Sequence, residues 1–133
     1  MPPQAPIAAD DLHTLVLLYL SVAYESDRNF DPAEHHIVLR LLRWWMPDLT
    51  TSDAEAIVDT AHKAVRSGMS DSPDVLARTM GAALSPKLRR RVLSDLGQIA
   101  QADGFLSVEE ASTIRRIRTA FDMDEANGED SAD

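Results

Sequence analysis

The sequence predicts an all-α single domain, a helical bundle of six to seven helices. Three observations lead there. Apolar residues recur at helical spacing, start and stop signals punctuate the chain at helix-sized intervals, and no segment alternates with period two while carrying strand-forming residues. The 133 residues amount to one domain, and a hydrophobic content of 44% is enough for one packed core.

Asp10 is a candidate N-cap for a first helix over about 11–25. Asp31-Pro32-Ala33-Glu34 is a second start: Asp31 can accept from an early backbone N–H, Pro32 suits the first helical position, and Glu34 can close a capping box. Pro47 ends that helix near Trp45 or Met46. A third helix begins at Thr51 or Ser52 and stops at Ser67, with Gly68 as its C-cap. Ser72-Pro73 opens a short fourth helix ending near Leu84, and Ser85-Pro86 opens a fifth that runs to about Ala102. After Asp103-Gly104, Ser107 caps a sixth helix with Glu110 in the capping-box position, ending near Phe121. Three core stripes follow: Val38, Leu41, Leu42 and Trp45; Leu88, Val92, Leu96 and Ile99; Ala111, Ile114, Ile117 and Phe121. Trp44 falls at the border of the first stripe.

Comparing the chain with itself at an offset of 76 pairs Leu20 with Leu96, Asp27 with Asp103, Glu34 with Glu110 and Arg40 with Arg116. Phe30 pairs in character with Leu106, Asp31 with Ser107 and Trp45 with Phe121. The shared unit is a helix, a turn holding an Asp, a hydrophobic residue, an N-cap and a helix with Glu at its third position. Capping boxes and hydrophobic staples explain the caps and the glutamates. They do not explain Asp27 and Asp103, each placed at a helix C-terminus, where the macrodipole disfavours negative charge. Hydrogen bonding within an Asx-turn is the bland role for them. Metal ligation is the functional one.

The segment Ala102-Asp103-Gly104-Phe105-Leu106-Ser107-Val108-Glu109-Glu110, preceded by Leu96 to Ala100 and followed by Ile114 and Ile117, resembles the Ala-Asp-Gly…Glu signature of the TerB-like family of tellurite-resistance helical domains. It is also similar to the N-terminal domain of some membrane-anchored DnaJ co-chaperones. The resemblance spans about residues 10–121. In the first copy, Ser26-Asp27-Arg28-Asn29-Phe30 lacks the Ala and has Arg28 where Gly is usual; Asn29 can take the left-handed turn instead. The resemblance implies an all-helical fold and acidic residues that bind divalent metal.

If the two hairpins pack about a pseudo-twofold, Asp27, Glu34, Asp103 and Glu110 converge. Four clustered carboxylates stay ionised only with compensation, which Ca²⁺ or Mg²⁺ supplies through oxygen ligands. His35 or His36 could extend the set toward Mn²⁺ or Zn²⁺, although the two rings point about 100° apart on one turn and cannot serve together. The Asp-to-Glu span of eight positions, with glycine directly after Asp103, is not an EF-hand loop.

Composition excludes other classes. With no cysteine the chain has no disulfide, zinc knuckle or cysteine nucleophile. No Gly-rich phosphate loop, Gly-x-Ser-x-Gly or His-Glu-x-x-His is present, so the chain reads as no enzyme. A net charge of -9 argues against nucleic acid, and the apolar run at 15–23 is too short to insert in a membrane. The N-terminus has no basic leader, so the cytoplasm is the expected compartment. Arg89-Arg90-Arg91 and Arg115-Arg116-Arg118 read as solvated faces, paired with nearby carboxylates or with the acidic tail. The organisation is a tail at 1–9, a helical domain at 10–121, and a tail at 122–133 with six acidic and no basic residues, expected to be mobile. The expected function is a TerB-like metal-binding stress or tellurite-resistance module with a protein partner. The alternative is a protein-interaction or co-chaperone-type adaptor without a metal site.

Overall fold

The computed structural model describes residues 7–27, 32–102 and 108–121, for residues 9, 24–27 and 32 as backbone alone. Among them are six helices and no strand: α1 (Ala9–Asp27), α2 (Pro32–Trp45), α3 (Thr51–Arg66), α4 (Pro73–Ala83), α5 (Pro86–Ala100) and α6 (Val108–Ala120). The local signals act as expected at most ends. Ser72 and Ser85 accept from the N–H groups of Val75 and Leu88, and Pro73 and Pro86 open their helices. Thr50 caps α3 through the Asp53 N–H at 3.0 Å, so the helix begins at Thr51, within the start the sequence suggests. Gly68 takes φ +77°. Its N–H donates to Val65 O at 3.2 Å, and the Met69 N–H reaches back to Ala64 O at 2.9 Å. That pair of bonds is a Schellman motif, and it requires the left-handed residue. Asp10 is not a cap. α1 starts one residue before it, which puts Asp10 in the first turn, where the helix dipole favours a carboxylate. The predicted caps Asp31 and Ser107 and the tail 122–133 lie outside the described residues.

α1 is the hub. It packs against all five other helices, and Leu12, Leu15, Val16, Leu18, Tyr19, Leu20, Val22 and Ala23 are all buried around its circumference. A helix apolar on every side belongs in the interior. α2 and α6 each pack on both α1 and α5. α3 lies over α1 and α2, and α4 over α1 and α6. The predicted stripes point inward: Val38, Leu41, Leu42, Trp45, Val92, Leu96, Ile99, Ile117 and Phe121 are buried. Gly81 lets α4 come close to α6, since a Cβ there would meet Phe121 Cδ1 at 3.3 Å.

A polar cluster sits inside this apolar core. The carboxylate of Asp95 on α5 is fully buried. Its Oδ2 accepts from Tyr19 Oη of α1 at 2.5 Å and from Trp45 Nε1 of α2 at 2.9 Å. Trp45 Nε1 also lies 3.0 Å from Tyr19 Oη, closing a triangle among three helices. Arg91, one turn before Asp95, brings Nε to 3.1 Å from Oδ1. That contact is ionic, because the geometry leaves both atoms without an aligned hydrogen bond. Burial pushes the Asp95 carboxyl above its ordinary value, against the pull of Tyr19, Trp45 and Arg91. Burial and the Asp95 charge push Tyr19 well above 10.0, so its hydroxyl remains a donor.

The reading of Arg89-Arg90-Arg91 as a solvated face needs correction. Arg89 Nε donates to Gly81 O and Leu84 O, both at 3.1 Å, and a terminal N–H donates to Phe121 O at 3.2 Å. It ties the end of α4 to the end of α6. The driving need is the orphan carbonyls that every helix leaves at its C-terminus.

Asp95→Ala is expected to lower the unfolding free energy by about 2–4 kcal/mol, since two buried donors lose their acceptor and Arg91 its counter-ion. Tyr19→Phe should cost about 1–2 kcal/mol. Urea denaturation measures both. A raised folded-state pKa means that the Asp95 contribution is complete below the unfolded value of 3.8 and is lost as pH rises through the folded value. Wild type should therefore lose stability relative to Asp95→Asn as pH climbs above 3.8, and the difference should then level off. Arg89→Ala should cost about 1–3 kcal/mol by the same measurement, with little recovered by Lys, which lacks the fork that serves three carbonyls.

Candidate functional site

The sequence singles out Asp27, Glu34, Asp103 and Glu110. Glu34 is the third residue of α2 and Glu110 the third of α6, so each helix start places its glutamate at the same point of its first turn. Both are buried, at 5% and 4% exposure, and both have interaction partners. An acidic residue in a first turn gains from the helix dipole, yet a capping-box glutamate can do that work at the surface. Their burial at the same point of two helix starts is a feature the two helices share. Asp27 is the last residue of α1, its side chain outside the described residues, and Asp103 lies outside them altogether. Among the described residues no group of three or more His, Asp or Glu side chains could hold a metal ion.

The histidines divide. His35 Nε2 meets Glu55 Oε1 of α3 at 3.1 Å, a half-exposed pair that links α2 to α3. His36 lines a cleft of about 440 Å³ between the same helices, together with Leu39, Arg40, Arg43, Thr51 and Glu55. Arg43 donates to Thr51 Oγ1 at 3.2 Å across that cleft. His62 is pushed below its ordinary value by burial and by the Arg66 charge, which keeps it neutral near pH 7.

A second surface lies where α2 meets α5. Trp44 is 43% exposed, stands edge-on to Trp45 with ring centroids 5.1 Å apart, and carries the Arg91 guanidinium 3.9 Å from its ring centroid. Arg40 reaches Gln98 Oε1 at 3.5 Å. Beyond it a groove of about 530 Å³ opens, lined by Ile37, Ser94, Gly97, Gln98 and Gln101.

Sequence reasoning missed Asp95 and Tyr19. A signal existed: Asp95 interrupts the stripe Leu88, Val92, Leu96, Ile99, and it stands 76 residues after Tyr19, the offset that aligns the hairpins. Two aligned residues that bond to each other lie where the hairpins cross.

Among the described residues no helix is long and apolar enough to cross a membrane. No curated protein and no solved structure matches the chain. A family model does, that of tellurite resistance protein TerB, over residues 9–130. The match takes in all six helices, both hairpins and all four acidic positions, and the chain belongs to the TerB family.

Proposed function

We propose that this chain is a non-enzymatic TerB module that holds a divalent cation through Asp27, Glu34, Asp103 and Glu110 and acts in a tellurite- or stress-type response through a protein partner. The observation that supports this reading is the burial of Glu34 and Glu110 at matching places in two helix starts. Buried charge is costly unless it is compensated. Four carboxylates make a hard, all-oxygen donor set, which suits Ca²⁺ or Mg²⁺ better than a soft metal; a histidine would be needed to favour Mn²⁺ or Zn²⁺. The cation supplies the positive charge that lets the carboxylates stay ionised together. The protein holds the two glutamates in place on α2 and α6, both of which pack on α1 and α5. We read the two hairpins as related by an approximate twofold through the Tyr19–Asp95 contact. α1 and α5 correspond, as do α2 and α6, and each inter-hairpin packing has its counterpart.

The second reading, an adaptor without metal, draws on the exposed Trp44 beside Arg91. Thermal melts in chelator and in excess Ca²⁺, Mg²⁺, Mn²⁺ or Zn²⁺ separate the two. One-site binding at about a hundred times Kd stabilises by roughly 2.7 kcal/mol. Under the metal reading Asp103→Asn and Glu110→Gln lose most of that gain while metal-free stability holds or rises, since both remove repulsion and Gln can still close a capping box. Identical metal responses in wild type and both variants would reduce these residues to caps.

A further inference from the structure

The two hairpins differ most in what covers them. α4 lies along the second half of α6. Asp74, in its first turn, meets Arg116 with Nε to Oδ1 at 3.5 Å, and Gly81 lies against Ala120 and Phe121. At the offset of 76, Arg116 corresponds to Arg40, Ala120 to Trp44, Phe121 to Trp45 and Leu15 of α1 to Arg91 of α5. The counterpart of α4's seat on α6 is therefore the face of α2 at Arg40 and Trp44, and Arg91 of α5 lies over Trp44 there. α3 and α4 both pack on α1, whereas α5 packs on α1, α2 and α6. Where Arg116 has Asp74, Arg40 has the neutral Gln98. Where α6 has a small residue under α4, α2 has the half-exposed Trp44.

We propose that this patch is a docking surface for an amphipathic helix of a partner protein that carries a carboxylate in its first turn. Arg40 takes the carboxylate as Arg116 takes Asp74, and Trp44 with its stacked Arg91 packs against the apolar face of the incoming helix. Trp and Arg are the residue types that most often anchor such contacts, and a helix laid in a groove is an ordinary mode of recognition. The charge is complementary: Arg40 presents an exposed cation whose partner on the patch is the neutral Gln98 rather than a carboxylate. Ser94 and Gln98 are exposed where the covered helix α1 has Leu18 and Val22. A surface of that polarity tolerates water when empty. The inference rests on the twofold reading of the hairpins and not on the metal.

The test uses a capped synthetic peptide of residues 71–84, the chain's own α4, added to the intact protein. Trp45 is buried, so a change in tryptophan emission reports on Trp44. The expected result is a saturable blue shift, with Arg40→Glu weakening binding about tenfold or more and a peptide carrying Asp74→Arg regaining affinity for the Arg40→Glu protein. Calorimetry with Trp44→Ala should show the same loss without relying on emission. The absence of saturable binding, equal affinity for wild type and Arg40→Glu, or sensitivity to Arg116→Glu in its place would each overturn the proposal, the last because the peptide would be exchanging into α4's own seat. An Arg40-dependent dimer in sedimentation would give the patch to a second copy, and a shift of Trp44 emission on deleting 122–133 would give it to the acidic tail. Either would overturn the assignment to a partner helix.

Discussion

The structure depends on one buried carboxylate. Asp95 sits where α1 and α5 meet, and it is tolerated there because Tyr19 of α1 and Trp45 of α2, both from the opposite hairpin, donate to it. A buried charge with one donor removed is among the more costly defects a core can carry. The triangle therefore demands that α1, α2 and α5 sit in one particular register. Apolar packing among Leu, Val and Ile would accept several neighbouring arrangements at similar energy, while directional bonds accept one. From that fixed crossing α2 and α6 take their places against both α1 and α5, and these two helices carry the glutamates.

The two helix pairs align in sequence at an offset of 76 and diverge where the environment diverges. α1 is covered by α3 and α4 as well as by the other hairpin, so Leu15, Leu18 and Val22 are fully buried. The aligned positions of α5 are Arg91, Ser94 and Gln98. Burial decides which helix can be apolar on every side, and the sequence of each records what lies on it. Along α2 the buried Glu34 and the exposed Trp44 stand ten residues apart, about 15 Å of helix. One end of the helix thus buries a carboxylate and the other exposes an aromatic ring with a guanidinium stacked on it.

The parts of the fold legible in the sequence are those set by local physics. Ser72-Pro73, Ser85-Pro86, Pro47 and Gly68 each act over one turn, and each delimits its helix within about two residues. The apolar stripes, with Trp45 inside and Trp44 at the border, follow from helical period alone. Asp10 misleads as a cap because a carboxylate is welcome anywhere in a first turn. The roles of Arg89 and Asp95 escape for a different reason: their partners are Gly81, Leu84 and Phe121 in one case and Tyr19 and Trp45 in the other, brought near by folding rather than by sequence spacing. Of the four acidic positions, the sequence marks the recurrence and the structure adds the burial of Glu34 and Glu110.

The claim that one hydrogen-bonded carboxylate fixes the crossing of the hairpins is tested most directly by a double-mutant cycle. Tyr19→Phe, Asp95→Ala and the double variant are compared with wild type by urea denaturation at neutral pH. The account predicts a coupling energy of about 1 kcal/mol or more, because the two side chains meet only in the folded crossing. Additivity to within about 0.3–0.5 kcal/mol, the range expected of independent sites, would contradict it.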